Sequence, residues 1–474
     1  MSYPEIKMLI GGEWRSAAGS PILNPSDGSV LGTVPTAAPA DLDDALQAAS
    51  KGLREWKRLA PARRRDIMLR ACGLLTDRVE QIAPIIALEQ GKTIVQARAE
   101  IMRSCDLITW DANEGQRLYG RIIPAEPGMR HSVIRQPIGV IAAFTPWNFP
   151  MSSPARKVGG ALAAGCAMIL KAAEETPAGA MLLAQAFVDA GLPAGVLNLV
   201  FGDPAAISAQ LIADPIIRGI TFTGSTPVGK HLAGLAAKQV KPAILELGGH
   251  APVIVCDDAD IESAAIASIK GKLNNAGQVC VAPTRFFIHE RVYDDFVQAM
   301  SREASKIKVG PALDPDSDIG PVTNQRRLET LRALVQDAVA CGARIAGQGR
   351  SLSDAGYMFP MTILADVPQD ARAMTEEPFG PLCLLSKVGS LDEAIAAANA
   401  LPYGLAGYAF TTSAANAYRL GEELELGNLA INHLISAVSE TPFGGVKESG
   451  YGREGGTEGL DCYTQVKSIS HRLT

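Results

Sequence analysis

The sequence predicts an α/β protein with two doubly wound domains. Its 474 residues exceed the roughly 250–300 that a single hydrophobic core supports. Between about residues 138 and 255, short apolar runs alternate with amphipathic segments, and a second alternation begins at residue 261 and continues past residue 400. Such a repeat of strand and helix indicates parallel strands joined by crossover helices, so ligands are expected at the carboxyl ends of the strands.

The first alternation supplies six strands and three of their connecting helices. The strands are inferred from short aliphatic and aromatic runs, and the helices from amphipathic spacing that begins after a Pro or Thr. The predicted strands are 138–144, 166–170, 196–200, 219–222, 243–247 and 252–255, and the predicted helices are 177–190, 204–213 and 226–237.

Two further segments fit neither alternation. The extended stretch 120–136 and the tail after residue 458 are expected to extend a sheet or to contact another subunit. The remaining predicted elements are two long upstream helices, 41–59 and 62–89, and the helix 261–273 and strand 285–289 that open the second domain.

Composition argues against several classes of function. The net charge is −6 and no run of five or more Lys/Arg occurs, so no nucleic-acid footprint is visible. We expect no signal peptide, and the longest apolar stretch, 158–170, is shorter than the roughly 18 residues of a membrane-spanning helix. The eight cysteines form no CxxC pair and the six histidines no HExxH motif. We therefore expect free thiols, no metal site, no nucleic-acid or membrane partner and a cytoplasmic location.

The segment 450–455, GYGREG, matches the dinucleotide-binding pattern GxGxxG. That pattern carries meaning only after a buried strand and before a βαβ unit. Here a Pro/Gly loop precedes Gly450 and the chain ends at residue 474. We interpret the match as a coincidence.

A better candidate for phosphate binding is the segment 222–230, FTGSTPVGK. It joins a predicted strand to a predicted helix, where free backbone N–H groups attract phosphate. A tight turn that uses Gly and Ser for geometry alone would give the same pattern. Lys171 and Glu174 follow another strand at the same edge, and they either bind ribose hydroxyls or form a solvated ion pair.

Glu246 and Cys280 are the candidate reactive residues. Glu246 has aliphatic neighbours in a predicted strand, where a carboxylate must be paired or have its pKa raised by desolvation. Cys280 follows an amide- and glycine-rich loop, unlike the cysteines within apolar runs, which behave as small hydrophobes. The residues alone leave a structural salt bridge at Glu246 and an inert thiol at Cys280 as alternatives.

Taken together, these segments resemble the NAD(P)-dependent aldehyde dehydrogenase superfamily over nearly the whole chain. The interval of 34 residues between Glu246 and Cys280 is the one this family shows. The matching motifs are FTPWNFP at 144–150, KAAEETP at 171–177, FTGS at 222–225, ELGG at 246–249, GQVC at 277–280, EPFGP at 377–381 and PFGGVK at 442–447.

The resemblance implies a role for each matched residue. Cys280 would be the nucleophile, Glu246 the general base and Asn148 the side-chain oxyanion donor. The implied cofactor is NAD, with NADP as a weaker alternative, because a carboxylate at the ribose repels a 2′-phosphate. The residues expected to bind it are Thr145, Pro146, Trp147, Lys171, Glu174, Gly224, Ser225, Val228, Leu247, Glu377 and Phe379.

Within the superfamily the chain is most similar to succinate-semialdehyde and 2-oxoglutarate-semialdehyde dehydrogenases. Arg156 stands where these enzymes place an arginine for the substrate carboxylate, and Phe443 and Asn274 are expected beside the substrate. Asn274 occupies the position at which such enzymes usually carry a second arginine. Ala282 replaces the second cysteine with which some relatives form a redox-switch disulfide.

The resemblance also implies the domain organisation and the partners. A Rossmann-like NAD-binding domain would comprise 1–117 and 138–248, a catalytic domain 249–457, and a small β oligomerisation element 118–137 and 458–474. We expect a homodimer or homotetramer that acts on a small aldehyde.

Two alternative functions differ in substrate or in reaction class. An enzyme of the same mechanism with broad specificity, or with specificity for uncharged or aromatic aldehydes, stays open. A cofactor-independent thiol acyltransferase or hydrolase is disfavoured because no histidine is placed as a conventional partner base for Cys280.

Overall fold

The computed structural model describes residues 3–435 and 437–473, and its helices largely connect parallel strands. The thirteen α-helices of these ranges are α1 (Pro39–Trp56), α2 (Pro61–Asp77), α3 (Val79–Gln90), α4 (Ile94–Glu114), α5 (Ser152–Ala164), α6 (Pro177–Asp189), α7 (Pro204–Ala213), α8 (Thr226–Lys238), α9 (Ile261–Leu273), α10 (Tyr293–Ala304), α11 (Gln325–Ala340), α12 (Leu391–Asn399) and α13 (Ala414–Glu423).

The strands form two large sheets and several small ones. They are β1 (Met8–Ile10), β2 (Glu13–Arg15), β3 (Gly19–Leu23), β4 (Val30–Pro35), β5 (Arg121–Ile123), β6 (Met129–Pro137), β7 (Val140–Phe144), β8 (Ala167–Lys171), β9 (Leu197–Val200), β10 (Ile217–Thr223), β11 (Ala243–Glu246), β12 (Pro252–Val255), β13 (Arg285–His289), β14 (Lys308–Val309), β15 (Arg344–Gln348), β16 (Arg350–Ser351), β17 (Thr362–Ala365), β18 (Leu382–Val388), β19 (Tyr403–Gly404), β20 (Ala406–Phe410), β21 (Asn428–Ile431), β22 (Val446–Lys447), β23 (Gly450–Tyr451) and β24 (Thr464–Arg472).

The first large sheet has the order β2-β1-β9-β8-β7-β10-β11-β23. Its five central strands are parallel, and the order in which successive strands are added to the sheet changes direction between the neighbours β7 and β10. Every residue of β7, β8 and β9 is buried, which explains their continuous apolar sequences, since helices cover both faces of such a strand. Ligands bind at such a reversal point, outside the carboxyl ends of the strands.

The second large sheet has the order β15-β17-β18-β13-β12-β20-β21 and is parallel except for β15. Alternate residues of its strands enter different hydrophobic clusters, with Ile254 in one and Val253 and Val255 in the other. The sheet is therefore covered on both faces. The predicted doubly wound α/β fold is confirmed for both halves of the chain.

A third sheet joins distant parts of the chain. The strand β24 pairs antiparallel with β6 from Thr464–Pro137 to Arg472–Met129, and β6 pairs with β5. All but the first residue of β24 are exposed. The predicted extended segment 120–136 thus meets the tail after residue 458.

The upstream helices differ from the prediction. The predicted helix 62–89 is wrong as a single element, because it breaks at Arg78, whose φ of −101° and ψ of 7° are not helical. The long helix α4 was not predicted at all. No glycine or proline stands at Arg78, so the apolar pattern continues across it, whereas α4 lies between Gly91 and Gly115, which are boundary signals that the prediction did not use.

Membrane-spanning helices and clusters of metal-binding side chains are both absent from the described ranges. No helix in residues 3–435 and 437–473 is long and apolar enough to cross a membrane. In the same ranges, no group of three or more His, Cys, Asp or Glu side chains could hold a metal ion.

Candidate active site

A cavity of about 300 Å³ opens at the carboxyl edge of the first sheet, where the segments after β7, β10 and β11 meet loops from the second half of the chain. The residues predicted for the site that line it are Cys280, Glu246, Asn148, Pro146, Trp147, Gly224, Ser225, Leu247, Glu377, Phe379, Arg156 and Phe443.

Five residues predicted for the site lie elsewhere. Lys171 and Glu174 form an ion pair of 2.5 Å beyond the end of β8, Thr145 is buried, and Val228 is 46% exposed on α8. Asn274 is exposed where α9 ends and is not among the residues that line the cavity, so its contact with the substrate stays a prediction.

The loop before Cys280 has a strained backbone. Asn275, Ala276 and Gly277 take φ angles of 51°, 52° and 70°, although two of the three carry a Cβ. Gly277 has no alternative, because a Cβ there would lie 2.3 Å from the Gly380 carbonyl oxygen. Left-handed conformations cost non-glycine residues about 1–2 kcal/mol each, and such strain concentrates at functional sites.

Side-chain amides hold this loop against the segment after β7. Asn275 donates to the Asn148 backbone carbonyl at 2.8 Å, and Asn148 Nδ2 donates to the Gln278 carbonyl at 2.9 Å. Gln278 Oε1 in turn accepts from the Thr323 backbone N–H at 3.0 Å. Asn148 and the Cys280 loop are thus fixed to one another.

Cys280 lies in the cavity wall and is partly exposed. Burial, with the neighbouring carboxyl groups of Glu377 and Glu246, raises the pKa of its thiol to about 12, while Arg156 acts in the opposite direction. The sulfur is therefore a thiol at neutral pH and requires a base to become a nucleophile.

Glu246 meets the physical requirements for such a base. Its side chain is 3% exposed, and neither carboxyl oxygen has a hydrogen-bond partner among the described residues. Desolvation and the nearby Glu454 raise the pKa of Glu246 well above its usual range, whereas Lys157 and Arg156 lower it. A carboxyl group of raised pKa at a cavity wall is suited to accept a proton from a thiol or a water molecule.

A buried ion pair behind Glu246 was not identified from the sequence. Lys157 Nζ lies 2.8 Å from Glu454 Oε1 and 3.0 Å from Thr221 Oγ1, and both charged side chains are almost fully buried. Glu454 belongs to the GxGxxG match, whose Gly450 lies in an edge strand that pairs antiparallel with β11. That match therefore supplies a carboxylate to the site instead of a dinucleotide-binding turn.

A second buried pair positions Asn148. Lys92 Nζ lies 2.5 Å from Glu100 and donates to the Asn148 carbonyl at 3.0 Å. The other oxygen of Glu100 accepts from the backbone N–H groups of Met151 and Ser152, which begin α5. No sequence motif marked Lys92 or Glu100, because their partners are distant along the chain.

One part of the site has the features of a nucleotide pocket. The first turn of α8 points at the cavity, and the hydroxyl of Ser225, the residue before the helix, does not cap it. Thr145 Oγ1 is buried without a partner among the described residues. Helix N-termini with uncommitted hydroxyl groups bind phosphate, so this chain's residues fit a dinucleotide.

Another part of the cavity is suited to an anionic group of the substrate. Arg156 lies 4.9 Å from the centre of the Phe443 ring, and its Nη1 is buried without a hydrogen-bond partner among the described residues. A buried guanidinium nitrogen without an acceptor is costly, and a substrate anion would satisfy it.

Comparison with known proteins gives concordant matches. The sequence pattern described as aldehyde dehydrogenase family matches residues 14–469. A 4-(hydroxymethyl)benzenesulfonate dehydrogenase from Comamonas testosteroni is 46% identical over 469 residues, covering 98% of each chain. An NADP-dependent succinate-semialdehyde dehydrogenase from Escherichia coli (strain K12) is 40% identical over 463 residues, covering 97% of this chain and 96% of the relative. The crystal structure of succinate-semialdehyde dehydrogenase from Burkholderia pseudomallei has a TM-score of 0.96 at 39% identity, covering 99% of this chain and 98% of that one.

Proposed function

This chain belongs to the aldehyde dehydrogenase family, and from that premise we propose that it oxidises an aldehyde whose far end carries an anionic group. The observation that supports this most directly is that Cys280, Glu246, Asn148 and Arg156 line one cavity. The overall reaction consumes the aldehyde, oxidised NAD(P) and water, and it yields a carboxylate, reduced NAD(P) and two protons.

The first step forms a bond between the Cys280 sulfur and the aldehyde carbon. Glu246 takes the thiol proton, and the carbonyl electron pair moves to the oxygen. Asn148 uses one N–H for Gln278, which leaves its second N–H to donate to the developing oxyanion. Such donors typically contribute about 3–4 kcal/mol to the transition state.

The cofactor would be held by the residues around the first turn of α8 and the end of β8. Ser225 and the α8 N-terminus would bind the phosphates, Lys171 and Glu174 the ribose, and Glu377 and Phe379 the nicotinamide end. When bound, the nicotinamide accepts the hydride that leaves the aldehyde carbon. We propose NAD over NADP, because the Glu174 carboxylate repels a 2′-phosphate, although its pairing with Lys171 weakens that repulsion.

The second half of the reaction hydrolyses the thioester on Cys280. Glu246 first releases the thiol proton to solvent, then removes a proton from a water molecule, whose oxygen attacks the acyl carbon, and the sulfur leaves as a thiolate. The Lys157–Glu454 pair acts on this base in both directions, because Glu454 raises the pKa of Glu246 and Lys157 lowers it.

A short acid semialdehyde, such as succinate semialdehyde or 2-oxoglutarate semialdehyde, is the first candidate substrate. Its carboxylate would accept hydrogen bonds from Arg156, which is better suited than any other side chain to offset the desolvation of an anion. Asn274 adds no second positive charge, so selectivity for an anionic substrate would depend on the arginines that line the cavity, such as Arg156.

An aromatic aldehyde is the second candidate. This candidate is supported by the apolar side chains of Trp147, Phe149 and Phe443 in the cavity wall. It is also supported by the relative from Comamonas testosteroni, whose name specifies an aromatic sulfonate. The second candidate would also carry an anionic group at the end opposite the aldehyde. The two candidates differ in whether an aliphatic chain or an aromatic ring joins the aldehyde to the anion.

Substitution of Arg156 separates the proposed anion site from a structural role. Arg156→Ala should lower kcat/KM about ten- to a hundredfold for succinate semialdehyde and much less for butanal, since one charged hydrogen bond is worth about 1.5–3 kcal/mol. Equal losses on both aldehydes would show that Arg156 is structural.

Assembly and location remain proposals as well. The exposed strand β24 and its partners β6 and β5 present Ile122 and Val466, each about two-thirds exposed, to a second copy of the chain. We propose a homodimer or homotetramer joined through this sheet, acting in the cytoplasm. The molar mass in solution, compared with that of a chain truncated before residue 464, tests the assembly.

A further inference from the structure

Arg103 and Arg327 line the cavity together with Arg156, and neither was marked by any motif. Arg327 lies on α11, donates to the Pro378 carbonyl and is 5.6 Å from the centre of the Phe379 ring. Arg103 lies on α4, a helix that supplies none of the residues predicted for the site, and Leu107 of the same helix lines the cavity one turn further on. Arg156 enters the cavity from α5. Arg103 and Arg156 therefore reach one cavity from two different helices.

Both arginines line the cavity that also holds the reacting groups. The positive charge of Arg156 acts on Cys280, on Glu246 and on Arg103. Burial and the repulsion by Arg156 lower the pKa of Arg103. The two guanidinium groups therefore interact with one another within the cavity.

Neither guanidinium forms an ion pair. Within residues 3–435 and 437–473, no carboxylate lies within 4.0 Å of Arg103 or Arg156, and the charges of Asp106 and Glu440 act on Arg103 only from further away. Arg103 donates one hydrogen bond, from Nη2 to the Ala437 carbonyl at 2.9 Å, and a guanidinium has five N–H donors. Two unpaired cations that repel each other in a partly buried cavity are costly, and an anion between them would offset that cost.

The shape of the anion follows from its two donors. A planar carboxylate has two oxygens, and one guanidinium fork occupies both. A sulfonate has three oxygens in a tetrahedral arrangement, so it can accept from two guanidinium groups that approach from different helices. The apolar part of the cavity wall includes Trp147 and Phe443, which suit an aromatic ring.

We propose that Arg103 and Arg156 together bind the sulfonate of an aromatic aldehyde, so that Arg103 determines a preference for sulfonated over carboxylated and uncharged substrates. This inference rests on the proposed function, since it names the substrate class of the same cavity. It makes Arg103 a specificity-determining residue that replaces the charge missing at Asn274.

The test compares three aldehydes that differ only in the group opposite the aldehyde: 4-formylbenzenesulfonate, 4-formylbenzoate and benzaldehyde. The wild-type enzyme should show the highest kcat/KM with the sulfonate. Arg103→Met should reduce the ratio of kcat/KM for the sulfonate to that for benzaldehyde about ten- to a hundredfold, mainly through KM. Arg103→Lys, which keeps the charge but not the fork, should recover part of that ratio.

The matched control is Arg98→Met on the same helix. Arg98 is exposed and pairs with Glu80 on the protein surface, so all three kcat/KM values should stay at the wild-type level. If Arg103 serves only to hold Ala437, Arg103→Met would reduce kcat/KM for all three aldehydes alike, and that result would overturn the proposal.

The wild-type enzyme alone provides a second test that does not depend on a variant folding. Benzenesulfonate should inhibit benzaldehyde oxidation competitively at a concentration about tenfold or more below that of benzoate. Equal inhibition constants, or no preference for the sulfonated aldehyde, would contradict the inference, whereas a higher kcat/KM for 4-formylbenzoate than for benzaldehyde would still support the proposed function. Absence of NADH or NADPH formation with every aldehyde would contradict the proposed function itself.

Discussion

Lys157 lies 2.8 Å from Glu454 inside the protein, and the charges of both residues act on Glu246. Glu454 raises the pKa of Glu246 and Lys157 lowers it. The proposed base is therefore adjusted by two residues that a substrate need not touch. This relationship leads to the first prediction.

Removing the carboxylate of Glu454 should move the pH dependence of turnover. Glu246 works as a base only when ionised, so kcat rises with pH through its pKa. Glu454→Gln removes a charge that raises this pKa and frees Lys157, so the acidic limb of the kcat profile should move to lower pH. Lys157→Met should move the limb to higher pH. Glu458→Gln, an exposed carboxyl four residues further on, is the control, and an unchanged limb in both buried-pair variants would contradict the assignment.

Two exchanges of glycine and alanine in the loop before Cys280 should affect stability and kcat differently: one should lower both, and the other should leave both near the wild-type values. Gly277→Ala places a Cβ against the Gly380 carbonyl at a φ of 70°, which should cost about 2 kcal/mol or more and reduce kcat by displacing Cys280. Ala276→Gly relieves about 1 kcal/mol of backbone strain, which the greater freedom of the unfolded chain offsets. Thermal unfolding and kcat check both variants, and similar losses in the two would mean that backbone strain does not position the loop.

Cofactor choice should depend on Glu174. Glu174→Gln removes the charge that repels a 2′-phosphate and leaves Lys171 unpaired, so the ratio of kcat/KM for NAD to that for NADP should fall about tenfold. The neighbouring Glu175→Gln serves as the matched control. A ratio that stays at the wild-type value in the Glu174 variant would show that this carboxylate does not face the ribose phosphate.

The reactivity of Cys280 in the free enzyme should follow its raised pKa. Because the pKa is about 12, the thiolate fraction increases about tenfold per pH unit over the neutral and mildly alkaline range. Alkylation of the Cys280 peptide by iodoacetamide, measured by mass spectrometry between pH 7 and 9, should rise accordingly. A plateau below pH 8 would show that the thiol is already ionised, and that Glu246 is not needed to deprotonate it.

Local sequence patterns predicted the central elements well. The helix α9 and the strands β12 and β13 have the predicted bounds, because short apolar runs between turn residues allow few other assignments. No helix-terminating residue marks Arg78, so the sequence does not predict the break there. We attribute the break to tertiary packing, which favours different directions for α2 and α3.

The residues of the candidate site likewise fall into those that the sequence could place and those whose position depends on tertiary packing. Residues that directly follow parallel strands, such as Asn148 and Ser225, could be placed at one sheet edge from the order of the elements. Arg103, Lys157 and Glu454 could not, because each lies within a helix or loop whose neighbours depend on how α4, α5 and the second half of the chain pack.

The central claim is that an acyl group is carried by Cys280 and released with the help of Glu246. The direct measurement mixes the Glu246→Gln variant rapidly with NAD and an aldehyde, follows absorbance at 340 nm, and examines the acid-quenched protein by mass spectrometry. The account predicts about one NADH per active site, formed more slowly than in the wild-type enzyme because Glu246 also deprotonates the thiol, then still slower turnover and a Cys280 peptide heavier by the acyl group, with no such adduct in Cys280→Ser. Turnover at the wild-type rate, or an acyl group on a residue other than Cys280, would contradict it.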